Sequence, residues 1–313
     1  MGTETAANWH VGSVNPGYTY KMSVSEGTIP FTVAGETYQT WYKVVGDLKN
    51  RKHRPLITLH GGPGLVHDYM TPFADLVASH NIPVILYDQL GSGKSTHLRD
   101  KPESFWTIDL FVDELVNLLQ HFGIEDDFDL VGHSWGGILG VEFEIRRQPQ
   151  GLKHLVLADS LPSMALWNQS NMQLLQPFPQ EIKEGIRAGF SDPDRYQKAL
   201  LVYRAEHGCR IKPFPAEYLH TVDQLRPDIG DITVSKAMFS GPLKEWTVID
   251  QLHQVRVPTL IYNGRYDISQ DFVCAPFFQR IPKAKWVTFE KSSHLPQWEE
   301  RERVMKVVGD FLQ

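Results

Sequence analysis

The chain has 313 residues, with 31 Lys plus Arg against 37 Asp plus Glu, a formal net charge of -6, and 42% hydrophobic and 22% charged residues. That is ample apolar material for a packed core, and 24 Gly and 20 Pro are near ordinary usage, so a disordered, collagen-like or low-complexity chain is excluded. A net negative chain without a basic block is not built for a nucleic-acid groove or an anionic membrane surface.

Two cysteines, Cys209 and Cys274, are too few for a disulfide framework or a cysteine zinc site and imply a reducing, cytoplasmic setting. Residues 1–13 lack the apolar region of a secretory signal. The apolar runs Leu56–Leu59 and Val84–Tyr87 are strand-sized, far short of the roughly 20 residues of a spanning helix.

In chain order, residues 17–46 alternate polar and apolar positions around turn signals at Glu26-Gly27 and Gly35-Glu36, which predicts two or three antiparallel strands. Beyond Arg54, short apolar strands alternate with amphipathic helices, the pattern of a parallel α/β sheet. The predicted strands are Leu56–Leu59, Val84–Tyr87, Asp129–Val131, His154–Ala158, Thr259–Tyr262 and Lys285–Phe289. The predicted helices are Ser104–His121, Trp135–Arg147, Asp271–Arg280 and Glu299–Leu312. Between Pro162 and Pro258 the alternation stops for a helical, aromatic-rich stretch. It reads as a cap inserted into one core: core 1–161, cap 162–257, core 258–313. Ligands bind beyond the carboxyl ends of the strands in such sheets, where a cap would shape the pocket.

Gly132-His133-Ser134-Trp135-Gly136 stands where a strand ends and a helix begins, the context in which G-x-S-x-G presents a nucleophile on a sharp turn. A serine hydroxyl needs a base, and the base an orienting carboxylate, in the order Ser, Asp, His on such a sheet. Asp267 follows a late strand and His294 the last one; Asp159, after another strand, is the reserve acid. The loop His60-Gly61-Gly62-Pro63-Gly64 places the N–H of Gly62, with that of Trp135, as an oxyanion hole, and His60 reads as a structural member of the loop. Gly91-Ser92-Gly93-Lys94-Ser95 ends like a phosphate-binding loop, but Asp88 occupies the position of its first glycine, so nucleotide binding is rejected. Neither cysteine has a base beside it in the sequence, and both read as apolar packing.

Taken together, His60-Gly-Gly-Pro-Gly64, Tyr87-Asp-Gln-Leu-Gly-Ser-Gly-Lys-Ser95, Gly132-His-Ser-Trp-Gly-Gly137, Gly264-Arg-Tyr-Asp267 and Ser293-His294 resemble a prolyl iminopeptidase-like α/β-hydrolase over residues 30–313. The resemblance implies an α/β-hydrolase fold, a mostly parallel sheet flanked by helices with an inserted helical cap. It implies release of N-terminal residues, typically proline, or cleavage of amino-acid amides, with no metal or organic cofactor. The chain departs from the family at Leu90, where Arg is usual, and at Ser92, where Cys is common. Lys212 and Lys236 fall at or near the acidic cap positions that hold a substrate ammonium in the family; cations there favour a carboxylate or neutral oxygen instead. Glu206, Glu217 and Asp223 remain as candidate amine anchors in the cap.

The sequence thus predicts a serine hydrolase with Ser134 as nucleophile, His294 as base and Asp267 as its orienter. Trp167, Phe178, Tyr203, Phe239 and Trp246 are candidates to line the pocket, or equally to be core. The expected partner is a small-molecule or short-peptide substrate, with neither nucleic acid nor membrane, and no oligomeric state is assigned. Two other readings stand beside it, a true aminopeptidase or amidase and a catalytically silent ligand receptor.

Overall fold

The computed structural model describes residues 3–6 and 23–313. The start of the alternating stretch, residues 17–22, lies outside the described residues, as do residues 1–2 and 7–13 of the opening segment.

Among the described residues nine strands form one sheet: β1 (Thr3–Ala6), β2 (Ser23–Val33), β3 (Glu36–Val45), β4 (Leu56–Leu59), β5 (Val84–Tyr87), β6 (Phe128–His133), β7 (Leu152–Ala158), β8 (Thr259–Gly264) and β9 (Ala284–Phe289). Their spatial order is β1-β2-β3-β5-β4-β6-β7-β8-β9. The pairings of β1 to β2, β2 to β3 and β3 to β5 are antiparallel, and the rest are parallel. Every residue of β4, β5 and β6 is buried, because helices cover both faces, and their near-continuous apolar runs follow from that.

Alternate residues feed two cores. Ile57, Leu59, Ile85, Leu130 and Leu157 pack with α2 (Ile108–Phe122), α3 (Trp135–Arg147) and α9 (Asp271–Arg280), while Leu56, Val84, Leu86, Val131 and Val156 pack under α11 (Arg301–Leu312) on the other face. The second face also carries a 3-10 segment, His67–Ala74, running into the short helix α1 (Asp75–His80).

Three local expectations need correction. Glu26-Gly27 is no turn but lies inside β2, where Gly27 pairs with Tyr42; a Cβ on Gly27 would stand 2.7 Å from the Tyr42 hydroxyl, so the glycine makes room for a cross-strand ring. Helix α2 starts at Ile108 rather than Ser104, because the Thr107 hydroxyl caps it by accepting from Leu110 N at 3.1 Å. The last helix is broken at Glu300 (φ -128°, ψ 45°) into α10 (Pro296–Glu299) and α11.

Between β7 and β8 the chain forms α4 (Met164–Leu175), α5 (Gln180–Ala188), α6 (Pro193–His207), α7 (Ala216–Asp223) and α8 (Thr233–Ser240). The two ends of this segment are stitched together, Met164 N donating to Trp246 O at 2.9 Å and Val248 N to Pro162 O at 3.0 Å. Among the described residues no helix is long and apolar enough to cross a membrane.

Candidate active site

Ser134 joins β6 to α3 with φ 55° and ψ -119°, a conformation that residues with a side chain avoid. The turn is tight enough that a Cβ on Gly132 would lie 2.1 Å from Gly136 O, and one on Gly136 1.9 Å from Leu59 O. Ser134 N donates to Ala158 O at 2.9 Å and Ser134 O accepts from Ser160 Oγ at 2.9 Å, so the strained turn is held from the end of β7. The serine itself is 9% exposed.

Asp267 lies on the loop after β8 and His294 on the loop after β9. His294 Nδ1 donates to Asp267 Oδ1 across 2.6 Å, the carboxylate fully buried and the imidazole nearly so. The Trp167 ring of α4 stands 5.7 Å from the His294 ring, and the His133 ring 4.6 Å from it. His133 Nε2 donates to the His294 carbonyl at 2.7 Å.

The glycine loop after β4 runs over the serine turn: a Cβ on Gly61 would sit 3.2 Å from Ser134 Cβ. Gly62 has φ 115°, open only to glycine. His60 Nδ1 donates to Gly61 O at 3.0 Å and His60 Nε2 accepts from Gln89 N at 3.0 Å; burial lowers this imidazole to about 4 and keeps it neutral. Gln89 Nε2 then donates to His60 O at 3.1 Å, and Gln89 Oε1 accepts from Trp135 Nε1 at 2.8 Å. One glutamine thereby fixes the glycine loop against the residue after Ser134. The N–H of Trp135, in the first turn of α3, has no intrahelical acceptor.

The glycine-rich loop after β5 is filled by the chain's own anion. Asp88 Oδ2 accepts from Lys94 N at 2.9 Å, and a Cβ on Gly93 would lie 2.3 Å from that oxygen, while Asp88 Oδ1 accepts from His67 N and Nδ1 at 2.8 Å. The two thiols are fully buried; burial pushes Cys209 up to about 12 and Cys274 well above its usual value, which leaves no thiolate to react. Among the described residues, Asp159, Asp267 and His294 are the one group whose donor atoms gather within 4.8 Å as a metal site would need, and His294 and Asp267 are already hydrogen-bonded to each other.

A profile of the family described as alpha/beta hydrolase fold matches residues 54–301. The proline iminopeptidase of Clostridium botulinum is 30% identical over 303 residues, covering 93% of this chain and 99% of that protein. The chain belongs to the proline iminopeptidase family of α/β-hydrolases. Among solved structures, VinJ superimposes with a TM-score of 0.84 at 38% identity, and the proline iminopeptidase of Mycobacterium smegmatis with 0.80 at 34%; each comparison covers 92% of this chain and 97% of the other.

In this proline iminopeptidase-family hydrolase the residues named for substrate contact separate. Lys212 and Lys236 are both exposed, and neither ammonium has a hydrogen-bond or ion-pair partner among the described residues. Glu206 lies with Gln173, Phe178 and His207 around a recess of about 350 Å³. Tyr203 is buried against Phe178 and His207, its hydroxyl donating to Asn171 Oδ1 at 3.0 Å, and His207 Nδ1 donates to the carbonyl of Tyr266, the neighbour of Asp267. Phe239 is 42% exposed on α8. Trp246 belongs to the core, its Nε1 donating to Glu142 Oε1 at 2.6 Å. Glu217 is exposed, and Asp223 pairs with Arg226 at 3.7 Å.

The sequence reading did not single out Tyr69, which takes the Gly61 N–H at 2.6 Å, or His133, the unspecified residue within G-x-S-x-G. Nothing local marks either of them. Their partners lie on other strands and loops, and only a buried tyrosine near a glycine loop would have hinted at the contact.

Proposed function

We propose that this hydrolase cleaves an amide or ester bond of a small molecule or short peptide through an acyl-enzyme on Ser134. His294 takes the Ser134 proton as the oxygen bonds to the substrate carbonyl carbon, and returns it to the leaving nitrogen or oxygen as that bond breaks. Water, deprotonated by the same imidazole, then displaces the acyl group and restores the serine. Asp267 keeps the His294 proton on Nδ1, so that Nε2 is the basic nitrogen. The N–H groups of Gly62 and Trp135 receive the oxyanion, each such donor being worth about 100- to 1000-fold in rate. The carrying observation is the 2.6 Å contact between His294 and Asp267, on loops at the same sheet edge as a strained serine turn.

Residues 162–257 are proposed as a cap over this edge, with the core divided into 1–161 and 258–313. The contact of Trp167 with His294 supports that role. One observation favours the narrower reading of an N-terminal (prolyl) aminopeptidase or amino-acid amidase. Glu206, an acid without an ion-pair partner among the described residues, borders a recess whose wall includes the Phe178 and His207 rings, where an ammonium group would meet a carboxylate.

The test is parallel hydrolysis of prolyl p-nitroanilide and a short-chain p-nitrophenyl ester, with fluorophosphonate labelling, each against Ser134→Ala. Labelling and turnover that vanish in Ser134→Ala are expected. Anilide turnover assigns amino-terminal recognition, and ester turnover alone assigns a pocket without it. A wild-type protein that neither labels nor turns over either substrate ends the proposal, and one that still binds ligand favours the receptor reading.

A further inference from the structure

Two buried carboxylates meet beside His294. Asp159 ends β7 at φ 48°, a left-handed conformation that Asp tolerates better than most residues, and it is tied at almost every polar atom. Its N–H donates to Tyr262 O at 2.8 Å, its carbonyl accepts from Ser269 Oγ at 2.9 Å, and its Oδ1 accepts from Gly264 N at 3.2 Å. Asp267 Oδ1 is occupied by His294. Two oxygens remain, Asp159 Oδ2 and Asp267 Oδ2, both buried and both without a partner among the described residues. The carboxyls that carry them form, with His294, the group in which one donor atom of each residue lies within 4.8 Å of the others.

Two carboxylate charges so close in the interior repel strongly, and among the described residues no cation is paired with either Asp159 or Asp267 apart from what His294 can carry. The groups facing Asp159 are Asp267, Glu299 of α10, Tyr262 of β8, Tyr69 of the 3-10 segment, Cys274 of α9 and the His294 ring, and none of these is a permanent cation. A single proton between the two unpartnered oxygens removes one charge and satisfies both atoms. It belongs on Asp159, because the ionised form of Asp267 makes the stronger, charge-assisted hydrogen bond to the His294 N–H, whereas Asp159 accepts only the neutral Gly264 N–H.

We propose that Asp159 is a positioning residue that stays protonated and donates from Oδ2 to Asp267 Oδ2, so that the acid pair carries one negative charge and presents it to His294 through Asp267 Oδ1. The reading rests on the triad proposed above. Burial and then the Asp267 charge push the Asp159 carboxyl well above the usual carboxylate range, in the same sense. Asp159 is thus no rival to Asp267. It fixes the carboxylate plane and keeps the pair singly charged.

Asp159→Asn is the decisive variant, because its amide can donate to Asp267 Oδ2 and accept from Gly264 N at every pH. Its kcat for the ester at neutral pH is expected within about threefold of wild type, while Asp159→Ala, which leaves Asp267 Oδ2 buried and unpaired, is expected to lose about 10- to 100-fold in kcat with KM little changed. The wild-type pH profile is expected to fall on the alkaline side as Asp159 ionises, and Asp159→Asn to lack that limb. A protonated-carboxyl stretch is expected in the infrared difference spectrum of wild type minus Asp159→Asn, in which the band of the buried Glu114 cancels.

Equal damage from Asn and Ala, an alkaline limb that survives in Asp159→Asn, an infrared band unaffected by that substitution, or an Asp159→Ala enzyme with wild-type kcat each overturns the proposal. Circular dichroism checks folding; where Asp159→Ala does not fold, the Asp159→Asn profile and the infrared band decide. Ser134→Ala is run alongside. Its activity reports on the triad reading, whereas the infrared band reports on the acid pair whether or not that reading holds.

Discussion

The Tyr69 hydroxyl lies 2.9 Å from His133 Nδ1, and through the Gly61 N–H on one side and the His294 carbonyl on the other this contact links the glycine loop to the His294 loop. Its direction is forced. His133 Nε2 must carry the proton it donates to the His294 carbonyl, so Nδ1 accepts, and the Tyr69 hydroxyl donates to it while accepting from Gly61 N. Burial, then the neighbouring His294, holds the His133 imidazole well below the usual histidine range, which keeps this arrangement neutral.

Tyr69→Phe removes the shared hydroxyl and strands two buried groups, the Gly61 N–H and His133 Nδ1. A loss of about 1 to 3 kcal/mol in stability is expected from such unsatisfied atoms. Because the glycine loop and the His294 loop are then no longer tied, kcat is expected to fall about tenfold with a smaller change in KM. Thermal melting together with steady-state ester kinetics checks both; an unchanged kcat would show that the bridge is structural only.

Ser134→Gly and Ser134→Ala remove the same hydroxyl but differ in backbone. At φ 55° and ψ -119° alanine keeps the strain of the native serine, whereas glycine relieves it. The glycine variant is expected to melt higher than the alanine variant, by the equivalent of about 1 to 2 kcal/mol, with both inactive. Equal melting temperatures would mean that the turn stores little strain.

Glu114 on α2 is fully buried, its Oε1 accepting from Thr40 Oγ1 at 2.5 Å and from Leu90 N at 3.0 Å. Burial lifts its carboxyl from 4.5 to about 7. The folded chain therefore holds this proton more tightly than the unfolded chain. The stability it contributes is full below pH 4.5 and is lost as pH rises through about 7, by an amount on the order of 3 kcal/mol. Glu114→Gln, which keeps an acceptor for both donors, is expected to flatten this loss and to melt above wild type at about pH 8 but not at about pH 5. Melting curves that run parallel across that range would contradict it.

Several elements were legible because their cause is local. The runs Leu56–Leu59 and Val84–Tyr87 are strands with those limits, since strands buried on both faces must be apolar throughout. The helices Trp135–Arg147 and Asp271–Arg280 likewise have the predicted bounds. The segment from His67 to Ala74 escaped prediction because a 3-10 turn with Pro72 inside it shows no 3.6-residue period. Glu26-Gly27 looked like a turn because the reason for its glycine, the Tyr42 ring, sits on the next strand.

By itself the sequence determined an α/β sheet, a serine on a glycine-flanked strand-to-helix turn, and an acid and a histidine after late strands, since each depends on backbone geometry or apolar period within a few residues. Only the tertiary structure decided that Asp267 meets both His294 and Asp159, that Tyr69 meets His133, that Trp246 is core and that Asp88 fills its own loop. Those contacts join residues distant in the chain, and a buried polar atom meets a partner only where the folded arrangement of strands and loops supplies it.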